Sequence, residues 1–83
     1  MRRLDLTRDA AGFWERLDAK QYRQIGRKMV ALMAAPLPPD SAMLRGSPYR
    51  RADIGEYRVI YRFDDLTVYV ARVGKRNDDE VYR

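Results

Sequence analysis

Two residue types are missing altogether: the chain has no cysteine and no histidine. The first absence excludes disulfides, thiol nucleophiles and cysteine-ligated zinc. The second excludes a Ser-His-Asp triad, imidazole-based zinc sites and imidazole acid–base catalysis. Long hydrophobic runs are also lacking. The longest, residues 29–39, is broken by prolines, and a membrane helix needs about 20 apolar residues. The start, Met-Arg-Arg-Leu-Asp-Leu-Thr-Arg-Asp, has no apolar core of a secretory signal. A cytoplasmic protein stabilised by packing or by a partner is therefore expected, with no membrane association.

Lysine is scarce where arginine is not. Of 17 basic residues, 14 are Arg and 3 are Lys, against 12 acidic residues, for a formal charge of +5. Arginine presents a planar fork that grips phosphate through two hydrogen bonds. The surplus suits nucleic acid or an acidic protein partner, and a coding bias toward arginine would produce it as well. The 83 residues amount to a single domain spanning 1–83. A chain of this size buries only about 60% of its unfolded surface, so its core is thin. With 46% hydrophobic and 35% charged residues it has the composition of a folded domain.

Residues 2–6 read as a short first strand. Thr7, followed by Arg8, Asp9 and Ala10, suits a helix N-cap with an acid in the first turn. Ala10, Phe13, Trp14 and Leu17 then fall on one helical stripe, and Asp18 stands where it can cap a second helix. In that helix Tyr22, Ile25, Met29, Leu32 and Met33 recur at spacings of three and four, while Arg23, Arg27 and Lys28 fall off the stripe. Trp14, Tyr22 and the methionines are assigned to the core. Pro36, Pro38 and Pro39 end the helix and form a stiff connector.

The period changes from helical to alternating after residue 42. In residues 56–63, Tyr57, Val59, Tyr61 and Phe63 share one face and Glu56, Arg58, Ile60 and Arg62 the other. Residues 66–73 and 49–53 complete a three-strand antiparallel meander, with corners at Gly55 and at Asp64-Asp65. The fold class expected is α+β: an N-terminal helix hairpin packed on a curved antiparallel sheet of three to four strands.

Residues 45–83 hold nine basic side chains with five interleaved tyrosines, Tyr49, Tyr57, Tyr61, Tyr69 and Tyr82. Guanidinium groups for phosphate and aromatic rings for unpaired bases are the vocabulary of single-stranded RNA binding. Seven acids lie among them, leaving a net of +2, so a half-exposed sheet fits equally well. Arg58 sits mid-strand on the face turned from the helices, where an arginine needs a partner. Glu56 or Asp53 would serve, and so would a phosphate. No glycine-rich phosphate loop is present, and Asp64-Asp65 and Asp78-Asp79-Glu80 read as solvated acids rather than metal ligands. The latter three also suit the first turn of a short terminal helix. No metal and no other cofactor is expected.

Several stretches, in order, carry a family resemblance: Leu44-Arg45-Gly46, then residues 55–62 (Gly-Glu-Tyr-Arg-Val-Ile-Tyr-Arg), then Val73-Gly74-Lys75-Arg76 and Glu80-Val81-Tyr82. With the preceding helix hairpin, nearly the whole chain resembles the RelE branch of the RelE/ParE toxin superfamily. The resemblance implies the toxin of a bacterial type II toxin–antitoxin pair, with the RelE-like microdomain fold. It implies a metal-independent endoribonuclease that enters the ribosomal A site and cleaves translated mRNA by attack of a 2′-hydroxyl on the adjacent phosphorus. Its partners would be the ribosome, mRNA and a cognate antitoxin, RelB-like or similar. Carried over by position, Arg58, Arg76 and Tyr82 are the implied catalytic residues, and Arg50, Arg51 and Lys75 are the flanking cations expected to bind RNA. Arg58 and Arg76 would converge beside Tyr82 on one open hollow and clamp the scissile phosphate.

The chain departs from the family pattern at three places. Asp53 stands where many relatives carry a basic residue. Arg51 stands where RelE has a catalytic lysine, and an arginine does not surrender its proton near neutral pH. The sequence runs one residue beyond Tyr82, where many relatives continue into a final helix. The proton acceptor is therefore open between Tyr82, whose hydroxyl ordinarily ionises near pH 10, and Asp53. A ParE-like toxin that poisons DNA gyrase without cutting RNA shares the fold and is the alternative.

Overall fold

The computed structural model describes residues 1–76. Its elements run β1 (Arg3–Leu6), α1 (Arg8–Glu15), α2 (Ala19–Ala34), β2 (Ser41–Met43), β3 (Arg50–Ile54), β4 (Tyr57–Phe63) and β5 (Thr67–Lys75). The two helices cover one face of a five-stranded sheet ordered β1-β5-β4-β3-β2. The α+β class and helix hairpin hold, and the strand count and direction are corrected. The sheet is mixed, because β1 joins the edge parallel to β5, with Arg3 opposite Thr67 and Leu6 opposite Val70. The unforeseen strand β2 pairs antiparallel with β3 at the other edge; three residues are too few to display a period of two.

Local chemistry explains the helix boundaries. Thr7 caps α1: its Oγ1 accepts from Ala10 N at 3.1 Å and donates to the Ala71 carbonyl at 2.6 Å, tying the helix start to β5. Asp18 occupies the cap position of α2 but makes no side-chain capping bond. Ala35 leaves α2 in extended backbone, as a residue before proline must. The proline connector is held from beneath by Tyr61, whose hydroxyl donates to the Pro36 carbonyl at 2.6 Å. An ion pair between Lys28 and Asp40 holds its far end.

The core lies between the layers: Ala10 from α1, Ile25, Met29 and Leu32 from α2, and Ala52, Val59, Tyr61, Val68, Val70 and Val73 from the sheet. Tyr22 is not in it. Its ring stacks on Trp14 at 4.2 Å while staying partly exposed, and Trp14 Nε1 donates to the Tyr22 carbonyl at 2.9 Å. Met1 and Met43 are likewise exposed, and of the methionines only Met29 is fully buried.

One irregularity decides which side chains face outward. Between β4 and β5 the register slips: Ile60 pairs with Arg72 and Tyr61 with Val70, so Ala71 is an extra residue in β5. A bulge of this kind reverses the alternation of its strand. Val68 and Val70 before it and Val73 after it all point into the core. Tyr69, Arg72 and Gly74 therefore share the face turned away from the helices.

Candidate functional site

The outward face is read from the register. On β4 it carries Arg58, Ile60 and Arg62; the partners on β3 are Asp53 beside Arg58 and Arg51 beside Ile60. On β5 they are Gly74 beside Arg58, Arg72 beside Ile60 and Tyr69 beside Arg62. By register Ile60 has Arg58 and Arg62 on its own strand, Arg51 on β3 and Arg72 on β5 as neighbours, and it is only 5% exposed. Arginine stems cover apolar surface while their heads reach water.

At the end of this face near the β3–β4 turn, three guanidinium groups gather on one carboxylate. Asp53 accepts from Arg58 Nε at 2.5 Å and Nη2 at 3.1 Å, a bidentate pair across the strands. Arg51 Nη1 lies 3.5 Å from Asp53 Oδ2 and Arg76 Nε lies 3.9 Å from it. The hydrogen bonds from Arg58 hold the Asp53 carboxyl below its ordinary pKa; the charges of Arg58, Arg76 and Arg51 add to this against the opposing effect of burial. Among the alternatives open in the sequence, Asp53 is the partner of Arg58.

Arg58 and Arg76, 18 positions apart in the sequence, are brought together. They are not equally presented. The Arg58 side chain is 12% exposed and its charge is matched by Asp53, whereas Arg51 and Arg76 are 35% and 49% exposed. Arg58 thus forms an inner, compensated layer and Arg51 and Arg76 an outer one. Arg76 is placed by its backbone N–H, which donates to the Glu56 carbonyl at 2.8 Å just past β5. A shallow depression of about 390 Å³ adjoins it, lined by Gly55, Glu56, Lys75 and Arg76. Lys75 therefore borders the cluster.

Arg50 does not join them. It pairs with Tyr61 in the register and shares the helix-side face with Ala52, where its Nη2 donates to Ser41 Oγ at 3.1 Å. Its Nε is buried without a hydrogen-bond partner among the described residues. Tyr82, and the acids Asp78, Asp79 and Glu80, lie outside the described residues. Sequence reasoning missed the placement of Arg72, which stands beside Ile60 in the register and whose Nε donates to Asp9 Oδ2 on α1 at 3.2 Å. The signal was present in the spacing of Val68, Val70 and Val73, two and then three residues, which marks the bulge.

The chemistry available here is that of anion binding. A phosphate at Arg51 and Arg76 would meet charge-assisted donors, with Arg58 behind them. Asp53 is a weak proton acceptor, since the same contacts that fix it stabilise its ionised form. Among the described residues no three acidic side chains gather in a metal-binding group.

Comparisons with known proteins bear on this geometry. A family model described as "ParE toxin of type II toxin-antitoxin system, parDE" matches residues 4–80. No curated protein sequence matches the chain. The isolated Escherichia coli RelE toxin is 30% identical, with 99% of this chain and 91% of that one covered and a TM-score of 0.73. In the E. coli RelBE toxin–antitoxin complex the matching chain is 26% identical, with coverage of 94% and 100% and a TM-score of 0.80. A YoeB/ParE toxin from Agrobacterium tumefaciens, 21% identical with coverage of 89% and 98% and a TM-score of 0.76, shares the fold.

Proposed function

The chain belongs to the ParE toxin family of type II toxin–antitoxin systems, within the RelE/ParE superfamily, and from that premise we propose that it is an endoribonuclease that cleaves translated mRNA in the ribosomal A site. The observation that carries this reading is the outward face of the sheet, where Arg51, Arg58 and Arg76 gather on the single carboxylate of Asp53 and Arg62 stands further along β4. Such a face neutralises a phosphate backbone without reading its sequence.

The proposed reaction is an internal phosphoryl transfer. The 2′-oxygen of one nucleotide attacks the adjacent phosphorus and the bond to the 5′-oxygen of the next nucleotide breaks. The attacking hydroxyl loses a proton, the departing oxygen gains one, and a cyclic phosphate and a 5′-hydroxyl result. Arg76 and Arg58 would stabilise the charge that grows on the equatorial oxygens, and Arg51 and Lys75 would hold the backbone on either side. Asp53 would keep Arg58 aimed between turnovers. With Asp53 a poor base and Arg51 unable to act as one, we assign the proton transfer to Tyr82.

The test is expression in bacteria with mapping of mRNA 5′ ends, alongside Arg76→Ala and Arg58→Ala. Cleavage within reading frames by the wild type, reduced about 10²–10³-fold in each variant, is the expected result. Growth arrest with intact transcripts would refute the nuclease. Gyrase poisoning is the second reading, favoured by the compensation of Arg58 by Asp53, and accumulation of gyrase–DNA cleavage complexes would establish it. A cognate antitoxin with an amphipathic, acidic segment is proposed to cover the basic face or the helices, as the antitoxin accompanies the toxin in the RelBE complex. Co-expression should abolish the arrest.

A further inference from the structure

A second organised group lies on the same face, away from the Asp53 cluster. The Arg62 guanidinium stands over the Tyr69 ring, 4.1 Å from its centroid. The Tyr69 hydroxyl donates to Asp64 Oδ2 at 3.2 Å. The other oxygen of that carboxylate accepts from the backbone N–H groups of Leu66 at 2.8 Å and Thr67 at 2.9 Å. These contacts depress the Asp64 pKa, the two backbone donors first. A turn therefore fixes a carboxylate, the carboxylate anchors a tyrosine, and the tyrosine holds a guanidinium plane flat.

An exposed arginine ordinarily samples many rotamers, and ordering it costs side-chain entropy. Stacking on an exposed ring offsets part of that cost. The pair borders a depression of about 310 Å³, whose rim also includes Tyr49, Asp5 and Thr7. That volume lies at the small end of ligand sites. The rim offers an aromatic ring, a planar cation and carboxylate oxygens, the groups that receive an unstacked base by its face and by its edge.

We propose that Arg62, backed by Tyr69 and flanked by Tyr49, is a stacking site for one unpaired base of the RNA strand whose backbone lies on Arg51 and Arg76. The inference rests on the RNA reading above and adds a second subsite to it. Arg62 is four residues along β4 from Arg58, about 13 Å, so the base it takes is not the one beside the scissile phosphate. Continuity of the face and its positive charge select a single strand as the occupant. A base stacked on a guanidinium plane is read by its π-face, so the site tolerates any base with a preference for purines.

The test measures binding of a short, fully 2′-O-methylated RNA, which cannot be cleaved, to wild type, Arg62→Ala, Arg62→Lys and Arg76→Ala. Abasic residues are placed at each position in turn. Arg62→Ala is expected to bind about 5- to 150-fold more weakly, the loss that removal of one stacked base produces. Arg62→Lys should recover little of it, since lysine restores the charge without the plane. One abasic position should weaken wild type and leave Arg62→Ala unchanged. If Arg62→Lys binds as wild type does, or if every abasic position affects wild type and Arg62→Ala alike, the stacking site is refuted while the nuclease stands. If wild type does not bind the strand, or Arg76→Ala binds it unchanged, the RNA reading fails and the subsite with it.

Discussion

On the proposed reading, Asp53 is the residue at which binding and catalysis would separate. With Arg51, Arg58 and Arg76 around it, the cluster holds three positive charges and one negative among the described residues, a net of +2. Two unit charges about 4 Å apart interact by about 1 kcal/mol even in bulk water, so the carboxylate opposes an arriving phosphate. Asp53→Asn should therefore tighten binding of uncleavable RNA by about fivefold. The same change removes the bidentate partner that aims Arg58, and cleavage by the variant should fall despite the tighter binding. Equilibrium binding and single-turnover cleavage on the same substrate would show the split; parallel changes in both would mean that Asp53 only anchors the strands. A pH effect follows from the depressed pKa of Asp53. Folding favours its ionised form, so its contribution to stability is complete above the ordinary carboxylate value of about 4 and is lost as the pH falls below it. Denaturant titrations of wild type should show stability falling below about pH 4, with a shallower fall in Asp53→Asn.

At the scale of elements, the turn and the bulge of the sheet set where the cations stand. Gly55 joins β3 to β4 with φ of 56°, and an added Cβ would lie 2.9 Å from Nε2 of Gln24 on α2. Gly55→Ala combines a left-handed backbone with that crowding and should cost about 1 kcal/mol or more. It should also reduce cleavage, because Arg76 is held by the carbonyls of Gly55 and Glu56. Tyr61→Phe should cost about 1–3 kcal/mol by leaving the Pro36 carbonyl without its donor, with cleavage unaffected at temperatures where it stays folded. Both are read from thermal or denaturant unfolding. These elements show what the sequence makes visible. The alternation of Tyr57, Val59, Tyr61 and Phe63 was legible, as were the Thr7 cap and the proline stop, because each is a local pattern. The parallel pairing of β1 with β5, the strand β2 and the inward turn of Arg50 depend on which segments meet in space, and no local period reports that. Arg58 was legible as an anomaly within its strand, but its choice of Asp53 over Glu56 required the register.

At the scale of the whole molecule, charge is divided between two layers. The sheet presents Arg51, Arg58, Arg62 and Arg76 on one side, while Arg23 and Arg27 lie exposed on α2 on the other. A net charge of +5 attracts any polyanion from a distance, so affinity alone would not say which layer touches RNA on the proposed reading. Salt dependence does. Each phosphate neutralised on a single strand contributes about −0.7 to the slope of log affinity against log salt concentration. Arg76→Ala should make that slope shallower by about 0.7 and weaken binding at every salt concentration. Arg27→Ala should leave the slope unchanged, because a cation on the helical layer releases no counterion from RNA bound to the sheet. The reverse pattern, a slope altered by Arg27→Ala and untouched by Arg76→Ala, would place the strand on the helices and overturn the assignment of the sheet as the nucleic-acid face.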